Sequence, residues 1–325
     1  MTLPRQSRDY PRLNGDWQMG HGQLTHESYD QLRDPLVRDL AWIAWSPPLL
    51  QPGCLPIRDP LQGSVWRSEP ERLWHRLLAL DAEPDARAAL LSPTSDFRLG
   101  TYYERLWHAL LDMAPDVQVI ARNIRLYQGH RTLGELDLLV ETADQAVTHF
   151  ELAIKFYLGV PGAIADSMEH TPASSWVGPN PRDNLQNKMR RLAEHQLPLG
   201  ERIDLATERL PRPQSSCAWL QGQVFFPRHQ TMAPPVGLAT PDQNYWMCST
   251  AWGAQDVSTR NEWAALPHKR WLMPPGANEG VPETEHLRED IPVQRAQMLV
   301  RKEDVKRNPL LAQRMMVMPD DWPRH

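Results

Sequence analysis

Four segments of the chain place apolar residues three or four positions apart, which is the spacing of an amphipathic helix. In the first segment, Asp34 is a candidate N-cap, Pro35 fits the first helical position and Pro47 ends the pattern. The other three segments are residues 71–91, 96–113 and 181–197. The pattern therefore predicts three helices before residue 114 and a fourth at residues 181–197.

Alternating apolar and polar residues predict four β-strands. Three of these strands follow one another within residues 117–158, and the fourth covers residues 216–228. A short polar turn, Thr-Ala-Asp at residues 142–144, joins the second and third strands. Together with the neighbouring helices, the middle of the chain reads as helix, three strands, helix and strand, which indicates an α/β fold.

The pattern divides the chain into three predicted regions: a helical N-terminal extension at residues 1–90, an α/β core at 91–226, and a C-terminal extension at 227–325. The last region is rich in proline and tryptophan and is expected to be largely irregular and to pack on the core. Short apolar pieces within it, such as residues 295–301, are candidates for further strands of the central sheet. No internal repeat is evident.

Composition narrows the class of protein. The formal net charge of -5 gives no overall attraction to a polyanion, so nucleic-acid binding would require a local basic patch. Three widely spaced cysteines suit a reducing compartment better than a disulfide framework. The N-terminal residues lack the apolar stretch of a secretory signal, and no segment is apolar for long enough to span a membrane. A cytoplasmic protein without membrane contact is the expectation.

Charged side chains occupy one face of the second and third predicted strands. Alternation places Glu135 and Asp137 on that face of one strand, and Glu151 and Lys155 on that face of the next. An antiparallel hairpin that sets Glu141 opposite Val147 also sets Asp137 opposite Glu151. Opposed carboxylates repel one another, so a cation such as Mg²⁺ or Mn²⁺ would be needed between them.

Two interpretations of this charged face follow from the residues alone. In the first, Asp137 and Glu151 hold a metal ion, and Lys155 stabilises the charge that develops on a phosphate. In the second, the acids and the lysine belong to a sheet face exposed to solvent and have no chemical role.

The stretch resembles the PD-(D/E)XK nuclease superfamily, in which one strand carries an acid within a GEIDLI-like segment and the next carries an acid and a lysine. Here GELDLL supplies Asp137 and ELAIK supplies Lys155. More closely, the chain is similar to the bacterial domain-of-unknown-function family 1853, which is assigned to that superfamily. That similarity rests on RDPLVRDLAWIAWSPPLL, LGTYYERLW, GELDLL, HFELAIKFYLG and NLQNKMRRLAEHQL.

The resemblance implies a restriction-endonuclease-like core and a set of site residues. Asp137 and Glu151 would be metal ligands and catalytic residues, with Glu135 as a spare ligand. Lys155 would be catalytic, and Glu104, on the first core helix, would add a further carboxylate. The last helix would bring substrate-binding groups toward the site, namely Gln186, Lys188 and Arg191.

One position departs from the superfamily pattern. Ala153 stands two residues before Lys155, where an acid is usual, and Glu151 lies four residues before it, roughly 13 Å away along a regular strand. The motif is therefore degenerate: either Glu151 has taken over the ligand role through its pairing with Asp137, or a bulge shifts it, or the site no longer works. We expect either a Mg²⁺- or Mn²⁺-dependent nuclease of unknown substrate, or a catalytically inactive nuclease-like fold that binds nucleic acid or protein.

Overall fold

The computed structural model of the protein describes most of the chain from residue 29 onward. The described residues are 29–91, 98–128, 130–144, 147–162, 170–202, 210–239, 244–273, 294–309 and 312–324. They form a mixed α/β structure with a large central sheet and several helices.

Helices precede the sheet. Helix α1 covers Pro35–Trp45, and Asp34 caps it as predicted, since its side chain accepts a hydrogen bond of 2.9 Å from the Leu36 amide. The segment at 71–91 forms two helices because Pro84 begins a new one. The helices before the sheet are α2 (Val65–Ser68), α3 (Pro70–Ala82), α4 (Pro84–Leu90) and α5 (Leu99–Met113).

The central sheet contains nine strands within the described residues, in the spatial order β1-β2-β3-β5-β6-β9-β8-β7, with the short β4 beside β3. Its first half is β1 (Gln118–Gln128), β2 (Arg131–Glu141), β3 (Val147–Gly159), β4 (Trp176–Val177) and β5 (Ser215–Pro227). Its second half is β6 (Tyr245–Cys248), β7 (Trp263–Leu266), β8 (Gln297–Arg301) and β9 (Arg314–Met318). The pairs β3/β5, β5/β6 and β6/β9 are parallel, whereas β1/β2, β2/β3, β3/β4, β7/β8 and β8/β9 are antiparallel.

The C-terminal region is more regular than its sequence predicts. Residues expected to be largely irregular form β6 to β9 and three short helices, α8 (Ser249–Gly253), α9 (Val257–Asn261) and α10 (Lys302–Arg307). These strands have four or five residues each, which is too short for alternation to stand out from the surrounding sequence. The strand expected within 295–301 is confirmed as β8.

The helix predicted at 181–197 starts later than expected. The N-cap is Asn184, whose side chain accepts a 2.8 Å hydrogen bond from the Asn187 amide, and helix α6 covers Leu185–Arg191. A π-helical turn follows at Leu192–Gln196, closed by a 3.0 Å bond from the Leu197 amide to the Leu192 carbonyl. Helix α7 (Leu199–Arg202) comes next. The predicted start of the helix at residue 181 is therefore wrong.

Strands β2 and β3 separate part of the way along their length. Their paired register runs from Glu141 opposite Val147, as predicted, to Leu138 opposite Phe150. Beyond that point β2 continues to pair with β1, and β3 continues to pair with β5. The two strands therefore form a fork at Asp137 and Glu151, the residues that would come next in the same register.

One hydrophobic core joins the three predicted regions. It includes Leu40 of α1, Leu106 of α5, Phe150 of β3 and Met316 of β9, all fully buried. Helix α5 packs against one face of the sheet through this core, while α6 and the π-helical turn pack with a separate cluster that contains Leu220 of β5. The fork therefore lies between rigid, well-packed elements.

Candidate functional site

Asp137 occupies the fork between β2 and β3. Its Oδ2 accepts a hydrogen bond of 3.0 Å from the Leu152 backbone amide. Because the β2/β3 ladder ends at Leu138, this carboxylate takes the place of a backbone acceptor at the point where the strands part. The half-buried side chain of Asp137 is therefore fixed to the edge of β3 beside Glu151.

Glu151 is the more deeply buried acid, with only 2 % of its surface exposed. Its Oε1 lies 3.1 Å from His149 Nε2, and its Oε2 accepts a hydrogen bond from the amide nitrogen of Gln196. Gln196 reaches this position from the last residue of the π-helical turn. Both oxygens of Glu151 are thus held by neighbouring side chains.

His149 acts as a neutral support for Glu151. Burial lowers the pKa of the imidazole to about 4, so the ring carries a single proton at neutral pH. When Nε2 donates to Glu151, Nδ1 is left to accept from the Ser216 hydroxyl, which lies 3.2 Å away on β5. No role was predicted for His149; the signal in the sequence is its position two residues before Glu151, on the same strand face.

Three carboxyl groups of the site are hard to ionise. Burial, followed by the charge of Glu151, raises the pKa of Asp137 to about 7. Burial, followed by the charges of Asp137 and Glu135, raises the pKa of Glu104 to about 7, and burial raises that of Glu151. The fork therefore gathers negative charge in a poorly hydrated place, where a further cation would be favourable.

Lys188, on α6, is the lysine beside the two fork acids. Its ammonium donates a 3.2 Å hydrogen bond to Gln196 Oε1, and its positive charge opposes the raised pKa values of Asp137 and Glu151. Burial lowers the pKa of Lys188 itself. Lys188, Gln196 and Glu151 therefore form a continuous polar chain from α6 to β3.

Lys155 lies on the predicted face of β3, but its ammonium contacts a different acid. Its Nζ donates to Asp183 Oδ2 at 2.5 Å, just before the N-terminus of α6. Asp183 also accepts a hydrogen bond of 3.5 Å from the Tyr157 hydroxyl. Neither Asp183 nor Gln196 was predicted to belong to the site, because neither lies on the patterned strands.

The remaining predicted residues occupy the margin of the site. Glu135 is exposed and lies 3.6 Å from Arg125 of β1, while its charge reaches Glu104. Arg191 is exposed, yet its charge helps to lower the pKa of Glu151. Gln186 is exposed on α6. The structure thus gathers Asp137, Glu151, Glu104 and Lys188 and leaves Gln186 at the surface.

The donor set can be compared with the needs of a hard cation. Asp137 and Glu151 offer carboxylate oxygens, the ligands that Mg²⁺ and Mn²⁺ prefer, and burial raises the pKa of both groups. Within the described residues, no group of three or more His, Cys, Asp or Glu side chains is placed to hold a metal ion. The residues present therefore fit a cation held by two carboxylates, with other ligands supplied by substrate or water.

None of the helices in the part of the chain described here combines the length and the apolar character needed to cross a membrane.

Comparison with known proteins gives one match. The family model described as "Domain of unknown function (DUF1853)" matches residues 38–322, and the chain belongs to this family. No curated protein and no solved structure matches the chain.

Proposed function

We propose that this member of the DUF1853 family is a metal-dependent phosphodiester hydrolase with a restriction-endonuclease-like core, acting on nucleic acid. The observation that carries the proposal is the fork, where Asp137 and Glu151 on neighbouring strands stand beside the half-buried Lys188. The element order α5, β1, β2, β3, α6, β5 agrees with the core order of the PD-(D/E)XK superfamily and supports the same proposal.

In this proposal the carboxylates of Asp137 and Glu151 would hold Mg²⁺ or Mn²⁺, and the ion would supply Lewis-acid activation of the phosphate. His149 and Gln196 each hold one oxygen of Glu151 and so fix the orientation of its carboxylate. Rigid support of this kind is what a ligand group requires from its surroundings. Glu104 adds negative charge on the α5 side of the fork.

Lys188 is the group that we assign to charge stabilisation, in place of Lys155. Lys155 already forms a salt bridge of 2.5 Å with Asp183. Lys188 instead donates a hydrogen bond to Gln196, whose side-chain amide donates to Glu151. Burial disfavours the charged form of Lys188. Additional negative charge nearby would therefore stabilise its ammonium group, and the charge of a phosphate in the transition state is one such source. The helix residue thereby supplies the cation that the superfamily usually places on the strand.

The test is cleavage of a mixed panel of single-stranded, duplex and branched DNA and RNA in the presence of Mn²⁺. We expect slow cleavage that Asp137→Asn abolishes, because Asn keeps the shape of the side chain but removes the charge that a metal requires. Glu151→Gln and Lys188→Met should each reduce the rate on the order of 100-fold, and Lys155→Met should reduce it far less.

The matched control is Glu194→Gln, which alters an exposed carboxylate on the same π-helical turn as Gln196. It should cleave like the parent protein. If Asp137→Asn cleaves as fast as the parent, the activity belongs to a contaminant and the proposal fails.

A second candidate function is nucleic-acid binding without catalysis. It is favoured by the engagement of both Glu151 oxygens by His149 and Gln196, and by the pairing of Lys155 with Asp183. A parent protein that never cleaves with Mg²⁺ or Mn²⁺, yet binds nucleic acid with an affinity that falls as salt rises, would establish this alternative.

A further inference from the structure

The hairpin of β1 and β2 continues past the fork. Residues 124–128 and 131–136, called the hairpin tip here, pair with each other, while the β2/β3 pairing ends at Leu138. One face of the tip is anchored because Leu126 and Leu136 pack against Leu199 of α7. The tip is therefore held in place although only one neighbouring strand pairs with β2 there.

The opposite face of the tip is open to solvent. Alternation along β1 places Arg125 and Tyr127 there, on either side of the buried Leu126, and their exposed fractions are 69 % for the Arg125 side chain and 53 % for Tyr127. Tyr127 and Leu133 are two of the four large hydrophobic residues that are exposed among the described residues.

This open face leads to the carboxylates of the fork. Arg125 lies 3.6 Å from Glu135, and Glu135 is near enough to Glu104 and its surroundings to affect ionisation there. Glu135 and Asp137 share a face of β2 because they are two residues apart in one strand. A polymer bound along Arg125 and Tyr127 would therefore reach the fork directly.

We infer that the hairpin tip binds single-stranded nucleic acid and delivers it to the fork, with Tyr127 stacking on a base and Arg125 contacting phosphates. An exposed ring on an anchored strand offers a stacking surface to a base, and cations beside it attract the backbone. A duplex buries the faces of its bases, so the same ring gains little from it. The inference rests on the proposed function and narrows its substrate class to unpaired strands.

The experiment measures binding by fluorescence anisotropy, with a labelled single-stranded oligonucleotide and its duplex, at several salt concentrations and with EDTA present to prevent cleavage. The full chain should bind the single strand at least about tenfold more tightly than the duplex. Tyr127→Ala should weaken single-strand binding about tenfold, and Tyr127→Phe should restore it because the ring face is kept. Arg125→Gln should reduce the slope of log affinity against log salt by about one.

Two exposed residues far along the chain provide matched controls. Val257→Ala removes an exposed apolar side chain from α9, and Arg307→Gln removes an exposed arginine from α10. Both should bind like the parent. Equal binding by Tyr127→Ala and the parent, equal affinity for duplex and single strand, or no binding to either would each overturn the inference.

The outcomes separate this inference from the proposed function. If the tip variants bind normally and Asp137→Asn abolishes cleavage, the proposed hydrolase function stands and the inferred role of the tip is refuted. If binding depends on Tyr127 but no cleavage occurs with either Mg²⁺ or Mn²⁺, the inferred role of the tip stands and the proposed hydrolase function is refuted.

Discussion

At the scale of the residue, the fork depends on one carboxylate that does the work of a backbone group. Asp137 accepts from the Leu152 amide where a strand would normally supply a carbonyl oxygen. The side chain thereby satisfies a donor that would otherwise be unpaired in a partly buried position, and it remains close to Glu151.

Asp137 makes a pH-dependent contribution to stability. Its pKa is raised from 3.8 to about 7 in the folded protein, so the folded state binds the proton more tightly than the unfolded state between these values. The stability that this proton provides is present below pH 4 and is lost as pH rises through 7. Asp137→Asn, which can still accept from Leu152, should remove that loss.

Urea denaturation at pH 5 and pH 8 in metal-free buffer checks this prediction. Relative to the parent, Asp137→Asn should gain stability between the two pH values, by up to about 3 kcal/mol. For the exposed control Glu194→Gln, the difference in the free energy of unfolding from the parent should be the same at both pH values. If the difference in the free energy of unfolding between Asp137→Asn and the parent were also the same at both pH values, burial would not raise the pKa of the Asp137 carboxyl.

The sequence was sufficient to place the two strand acids. Strict alternation and a short turn allow one register that buries Leu138, Val140 and Phe150, and this register brings Asp137 and Glu151 together. The partners Gln196 and Asp183 were beyond prediction. Their contacts depend on the π-helical turn and on the loop before α6, which have no periodic pattern in the sequence.

At the scale of the element, β3 and β5 approach each other unusually closely at Gly222. This residue pairs with Lys155 and has φ 138°, and a Cβ there would stand 1.7 Å from the Lys155 carbonyl oxygen. Glycine is therefore required both by the backbone conformation and by the space. The position also shapes the part of β3 that carries Lys155.

Gly222→Ala should destabilise the protein by about 3 kcal/mol or more, because the strands must separate and a positive φ must accept a side chain. The measurement is the urea midpoint, with Gly100→Ala as the matched control. Gly100 lies in α5 with nothing within 4 Å of its missing Cβ, so that substitution should be neutral or stabilising by up to about 1 kcal/mol. Equal stability of the two variants would contradict the argument.

At the scale of the whole molecule, a buried arginine joins distant parts of the chain. Arg314 of β9 donates to the carbonyl oxygens of Trp271 and Leu272, and its backbone amide donates to the Asn244 side chain. Its charge also acts on the buried Asp39 of α1. Its hydrogen bonds join segments of the predicted C-terminal extension that are far apart in sequence, and its charge reaches α1 of the predicted N-terminal extension.

Arg314→Met should cost about 3 kcal/mol, because two carbonyl oxygens and the buried Asp39 would lose a charged partner. Arg307→Met is the control, since the Arg307 side chain is 71 % exposed and pairs only at the surface with Glu303. It should change stability by less than about 1 kcal/mol. Differential scanning calorimetry of both variants would show the contrast, and equal melting temperatures would refute it.

The α/β class and the central helix and strands were predictable because those elements are long and strongly patterned. The second half of the sheet was not, since β6 to β9 are short and meet only through contacts between residues far apart in sequence. Such pairings follow from the packed core and from groups such as Arg314, and local alternation carries no information about them.

The place of β9 in the sheet has a consequence for biosynthesis. The strand lies between β6 and β8, although it follows both in the chain. While the ribosome is still adding residues before Arg314, β6 has an open edge, and the β7/β8 pair has no route to the rest of the sheet. Exposed strand edges are sites of aggregation, so this interval is when the nascent protein most needs protection.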